Sequence, residues 1–199
     1  MWDERYSAEH YIYGTEPNEF LLQNINEIPA GGEVLCLADG EGRNSVFLAK
    51  QGYSVTAIDS SIEGIKKARR LADKHNVNIT FIHQDLENYE PGINHWHGIV
   101  SIFCHLPLEI RQPLHQKIVN SLKNNGVLIL EAYTPEQIKL GTGGPPIAAL
   151  TMDSSTLKKE LKGLHFKQLQ ELQREVIEGT HHTGTGAVVQ TIAIKKTEK

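Results

Sequence analysis

The side chains best suited to chemistry sit where apolar runs end. Asp39 and Glu41 lie inside Ala38-Asp39-Gly40-Glu41-Gly42, Asp59 closes Ser54-Val55-Thr56-Ala57-Ile58, and Asp85 follows Ile79 to Gln84. Gly40 and Gly42 leave backbone without side chains before a helix N-terminus, where free N–H groups can receive a ligand. Asp59 follows Gly42 at about the offset where such turns are matched by an acid that holds ribose hydroxyls. His105, just past the run Gly98 to Phe103, is the candidate for acceptor contact or proton removal. Each acid has an ordinary alternative as a helix cap, and so does His105. Arg5, Tyr6, Tyr13, His181 and His182 are further candidates; Arg5 and the two histidines suit a small anion, although an exposed turn also explains the histidines. No metal site is expected, since no CxxC spacing occurs.

The elements that must position these groups alternate. Val34 to Leu37 is a short strand, and Val46, Phe47 and Ala49 share a helical face that closes at Gly52. A second βα unit follows, with Ser60 and Glu63 in capping-box spacing and Ile62, Ile65, Ala68 and Ala72 facing inward up to about His75. Lys66, Lys67, Arg69 and Arg70 read as that helix's solvated face. Gly98 to Phe103 is nearly all apolar, as expected of a strand near a sheet centre covered on both faces. Ile110, Leu114, Ile118 and Leu122 make a helix expected to end at Asn124-Asn125-Gly126, before a strand over Val127 to Ala132.

Outside that core, residues 1–16 show no clean period, and Pro17 suits the first turn of a helix bearing Leu21, Ile25 and Ile28. Residues 134–152 are too long and too rich in glycine and proline for a plain connector, so a lid is expected. Asp153 or Ser154 caps a helix carrying Leu157, Leu161 and Leu164. Leu172 to Ile177 and Ala187 to Ile194 form an antiparallel hairpin, and Lys195 to Lys199 a frayed tail.

At 199 residues the chain suits one domain, with a leader and helix over 1–28, a ligand-binding core over 33–132, a lid over 133–152 and a helix with hairpin over 153–199. A net charge of −4 without a Lys/Arg block argues against nucleic acid as a partner. No apolar run approaches the ~20 residues of a membrane span, and the charged start does not resemble a signal peptide. Cys36 and Cys104, both in apolar runs, suit a reduced, cytoplasmic protein. A monomer or homodimer is expected.

Five βα units and a final hairpin, with acids ending strands two and three, resemble the class I S-adenosylmethionine-dependent methyltransferases. Trp2-Asp3-Glu4-Arg5-Tyr6, Tyr13-Gly14-Thr15-Glu16-Pro17-Asn18, Gly40-Glu41-Gly42-Arg43-Asn44 and Leu122-Lys123-Asn124-Asn125-Gly126 resemble the small tellurite-resistance-type branch. The resemblance implies a doubly wound, mostly parallel seven-stranded sheet with helices on both faces and a C-terminal antiparallel hairpin. It also implies S-adenosylmethionine as cofactor and a small-molecule methyl acceptor, a thiol, oxyanion or similar. Ala38, Asp39, Gly40 and Gly42 would face the methionine part of that cofactor, Asp59 the ribose hydroxyls, and Asp85 with Leu86 the adenine; Tyr13, Asn44, Ser60 and Ser101 would also touch the cofactor. Arg5, Tyr6, His105 and His182 would meet the acceptor. The family usually has an acid where Cys36 stands and a glycine where Ala38 stands. A nicotinamide dehydrogenase, the competing enzyme reading, would want a third glycine at Ser45; a non-catalytic nucleotide-binding protein is the other alternative.

Overall fold

The computed structural model describes residues 2–179 and 182–196. Five parallel strands, β1 (Glu33–Leu37), β2 (Ser54–Asp59), β3 (Ile79–His83), β4 (Trp96–Ile102) and β5 (Leu122–Tyr133), are followed by β6 (Leu164–Glu178) and β7 (His182–Lys195). They form one sheet in the order β3-β2-β1-β4-β5-β7-β6, with β7 antiparallel to both neighbours. The expected doubly wound sheet with a terminal hairpin is therefore present. The helices are α1 (Trp2–Tyr6), α2 (Glu19–Asn24), α3 (Arg43–Lys50), α4 (Ile62–Lys74), α5 (Leu108–Ser121), α6 (Gln137–Leu140) and α7 (Ser154–Glu160).

The apolar strand runs follow from two-sided burial. Successive side chains point to opposite faces, so Leu35, Ile99, Leu128 and Leu130 pack with Leu114 and Ile118 of α5 and Leu157 of α7. Their neighbours Val34, Cys36, Val100 and Ile129 pack instead with Phe20 and Leu21 of α2 and Leu48 of α3. Each fully buried Leu or Ile contributes about 1.5–3 kcal/mol. Both cysteines are buried and unpaired. Strand order reverses between β1 and β4, which opens a crevice at the carboxyl ends where open α/β sheets bind ligands.

Several local expectations are corrected. Leu122 belongs to β5 and pairs with Trp96, while Gly98 pairs with Val127; Asn124-Asn125-Gly126 is thus a bulge inside the strand and not a helix end. Gly126 fits because a Cβ there would meet Lys123 O at 2.8 Å and Trp96 O at 2.9 Å. Ser61, not Ser60, caps α4, its hydroxyl accepting from Gly64 N. Asn18 caps α2, so Pro17 stands outside it, and α2 ends at Asn24, followed by a 3-10 turn over Ile25–Glu27. Asp153 caps α7 as expected, but Leu164 opens β6. The 134–152 segment holds α6 and a 3-10 turn at Ala148–Leu150. The hairpin strands run much longer than the apolar stretches suggested, and Lys195, the first residue of the expected frayed tail, ends β7 and donates to Asn120 O and Leu122 O, while residues 197–199 of that tail lie outside the described residues. No described helix is long and apolar enough to cross a membrane.

Candidate active site

The chain leaves β1 through three left-handed positions, Ala38 (φ 49°), Gly40 (φ 59°) and Gly42 (φ 92°). Ala38 adopts there what a glycine would adopt without strain. Asp39 turns inward and accepts from Ser45 N at 3.2 Å and Ser45 Oγ at 2.5 Å, tying the elbow to the start of α3. Burial pushes its carboxyl up to about 6 against the pull of those hydrogen bonds. Asp59, at the end of β2, accepts from Gly40 N and Ser61 N, both at 2.8 Å, and is also raised, first by burial. Asp85 is exposed beyond β3 and caps a 3-10 turn that buries Leu86. Ser60 is exposed nearby, Ser101 is buried on β4, and Asn44 is buried with its Oδ1 accepting from Asn18 N.

The leader lies across this edge. A Cβ on Gly40 would stand 2.6 Å from the Tyr6 hydroxyl, and one on Gly64 3.1 Å from the same ring, so these glycines make room for Tyr6. Gly42 likewise admits Ala68 of α4, at 2.7 Å from its own added Cβ. In this structure the bare backbone at Gly40 and Gly42 is covered by Tyr6 and Ala68. Lys67 corrects an expectation: it is buried, pairs with Glu41 at 2.6 Å and donates to Ala8 O and His10 O of the leader. Glu41 in turn accepts from Tyr13 N, and Asp3 accepts from Ser61 Oγ. Arg5 reaches the Tyr13 hydroxyl at 2.9 Å.

Past the leader, β4, β5 and the hairpin tip assemble a second cluster. Phe103 and Tyr133 stack at 4.5 Å between ring centroids, and His182 approaches Tyr13 at 4.6 Å, Phe103 at 5.0 Å and Tyr133 at 5.4 Å. Close to these rings Glu131 accepts from Arg174 Nε and Nη2, each at 2.7 Å, from Gln190 at 2.7 Å and from Asn18 at 2.6 Å. Glu178 takes Arg43 at 2.5 Å and Asn18 at 2.7 Å. Burial pushes Glu178 up, but His182, Arg43 and Asn18 outweigh it and hold the carboxyl at about 2. Arg43 keeps Nη1 buried with no hydrogen-bond partner.

His105 lies in this wall, its ring 5.6 Å from that of Tyr133. Its Nδ1 stands 3.0 Å from Leu150 O, which only an N–H can satisfy, so Nε2 is the lone-pair nitrogen and it accepts from Tyr133 N at 3.4 Å. Burial lowers the ring to about 4. Both nitrogens of His105, the candidate for acceptor contact or proton removal, are engaged by main chain in this structure. His181 lies outside the described residues. Sequence reasoning missed Arg43, Glu178, Glu131 and Lys67; of these only Glu131, a charge within the apolar run Val127 to Ala132, left a signal. Among the described residues no group of three His, Cys, Asp or Glu is arranged to hold a metal.

Strand order, elbow and strand-end acids together define the fold of a class I methyltransferase. Residues 34–126 match the family described as a methyltransferase domain, whose methyl donor is S-adenosylmethionine. The 23S rRNA (uracil(747)-C(5))-methyltransferase of Pyrococcus horikoshii is 35% identical over 75 residues, 35% of this chain and 18% of that protein. The 2-heptyl-1-hydroxyquinolin-4(1H)-one methyltransferase of Mycobacteroides abscessus is 26% identical over 109 residues, 53% of this chain and 48% of that one. The chain thus spans less than half the length of these curated relatives. The structure of TehB from Haemophilus influenzae superimposes with a TM-score of 0.73 at 22% identity, covering 88% of this chain and 61% of that one. This likeness is one of fold.

The residues fit the donor. Among the described residues neither Asp39 nor Asp59 forms an ion pair, so a cationic ligand would complement the half-buried Asp39 and the buried Asp59, and the orphaned Nη1 of Arg43 can meet a carboxylate.

Proposed function

We propose that this protein transfers a methyl group from S-adenosylmethionine to a small-molecule acceptor, and that it stands with the tellurite-resistance-type branch. The observation that carries the reading is the row of acids at the ends of β1, β2 and β3, with Asp39 half-buried, Asp59 buried, and neither in an ion pair among the described residues. Bound there, the donor supplies an electrophilic methyl on a sulfonium. The elbow from Ala38 to Gly42 holds the methionine part, with Arg43 Nη1 toward its carboxylate. Asp59 keeps lone pairs beyond those used by Gly40 and Ser61, enough for ribose hydroxyls. Asp85 and Leu86 meet the adenine. Tyr6 yields its place over Gly40 as the donor enters, and the leader with residues 134–152 then excludes water while the rings of Tyr13, Phe103, His105, Tyr133 and His182 align the acceptor.

A thermal test is direct. Donor or S-adenosylhomocysteine at about 100 times its dissociation constant stabilises by ~2.7 kcal/mol, raising the midpoint by roughly 5–10 °C for a chain of this size. A rise with nicotinamide dinucleotide and not with these would replace the reading by a dehydrogenase; no rise with any would leave a non-catalytic protein.

A further inference from the structure

We infer that His182, oriented by Glu178, removes a proton from the methyl acceptor, and that the acceptor is a neutral thiol or hydroxyl carried on a small apolar or aromatic molecule. The inference rests on the methyl-transfer reading above. Glu178 and His182 face one another as register partners where β6 and β7 meet. The carboxylate is held from other sides by Arg43, Asn18 and, at 3.4 Å, Arg174, so its Oε2 has little freedom. That oxygen lies 3.8 Å from Nδ1 of His182, and Nδ1 is buried without a hydrogen-bond partner. A hydrogen on Nδ1 turned toward Glu178 leaves the lone pair on Nε2, at the far corner of the ring.

The surroundings select the acceptor. Arg174 is engaged by Glu131 and Arg43 by Glu178, which leaves Arg5, bonded to the Tyr13 hydroxyl at the rim, as the arginine near His182 with no carboxylate partner among the described residues. The walls are the rings of Tyr13, Phe103 and Tyr133, which suit a flat or apolar body. A neutral thiol or hydroxyl in such a place is a weak nucleophile until it loses its proton. The heteroatom–hydrogen bond breaks with its proton passing to Nε2 of His182. The electron pair left on the heteroatom takes up the methyl carbon, and the pair of the former carbon–sulfur bond stays on sulfur. The proton leaves His182 to solvent after release of product. The groups facing His182 are Glu178, Arg43, Arg5, Tyr13, Tyr133 and His105, and burial keeps the ring neutral and ready to accept.

Two measurements test this. The first needs no turnover: 15N shifts of His182 in the wild-type protein at neutral pH should show hydrogen on Nδ1 and a bare Nε2, and the opposite tautomer would overturn the assignment. The second compares wild type with His182→Gln in the presence of S-adenosylmethionine, using nitrothiophenols, ionised at the assay pH, and benzyl thiols, which are not. Turnover of the benzyl thiols should fall about 100-fold or more beyond any loss on the nitrothiophenols. Equal losses on both classes would mean a structural histidine, and no loss on either would remove the base. A wild type that binds S-adenosylhomocysteine in calorimetry yet methylates neither class overturns the acceptor; one that does not bind it overturns the methyl-transfer reading instead.

Discussion

The two sides of the cleft treat buried charge in opposite ways. On the elbow side Asp39 and Asp59 are raised by burial and held only by neutral donors. On the hairpin side Glu131 and Glu178 are surrounded by two arginines and two amides, and Glu178 is driven down to about 2. One side is electrostatically complete in the free protein. On the other, Lys67 pairs with Glu41 while Asp39 and Asp59 have no ion-pair partner among the described residues, and acids so placed are where a positively charged ligand has most to add. The contrast assigns rigidity to the acceptor side and ligand dependence to the donor side.

The sharpest way to break it is to remove one acid from each side. Glu131→Ala leaves Arg174 with only its longer contacts to Glu178 and Glu19, and Asn18 and Gln190 short of an acceptor, and should cost about 3–5 kcal/mol in urea unfolding, whereas Asp39→Asn should leave stability unchanged or raise it. Equal losses would end the distinction. Gly179→Ala comes next: its φ of 68° suits glycine, and an added Cβ would fall 2.1 Å from Ile12 O. The left-handed backbone alone costs about 1–2 kcal/mol, and amide exchange over residues 11–14 should quicken as the leader is pushed from the hairpin tip.

The third prediction is one of pH. Asp39 ionises as pH rises through about 6, and the ionised form attracts the donor, so affinity in calorimetry should grow roughly tenfold from pH 5 to pH 7. In the free protein the sign reverses. A carboxyl raised above its unfolded value stabilises the fold below that value and loses this as pH rises through about 6. Glu178, lowered to about 2, contributes stability above its unfolded value of 4.5 that is lost as pH falls toward 2. A flat affinity profile would show that Asp39 does not face the donor's charge. The smallest effect belongs to Ala38→Gly, which relieves a left-handed alanine at the expense of backbone freedom and should stabilise by about 1 kcal/mol or less.

What was legible in the sequence follows the same division. The elbow and the acids at 39, 59 and 85 are contiguous with the strands that carry them, so local spacing was enough to read them. Glu178, Arg43, Asn18 and Glu131 meet only after the hairpin has closed against β5, and no local period encodes that meeting. Lys67 was hidden by its neighbours, because Lys66, Arg69 and Arg70 make a charged run that reads as one solvated face. The length of β6 was hidden too: at the sheet edge its side chains alternate between half-buried and exposed, and polar residues fill both kinds of place.

Lys67 grips the leader through the carbonyl oxygens of Ala8 and His10, groups that every residue possesses. A tether of that kind does not read side chains at those two positions but is strict about path length. Homologues should therefore vary freely at positions 8 and 10 while tolerating no insertion or deletion between Tyr6 and Tyr13, the stretch whose two ends must reach Gly40 and Glu41 together.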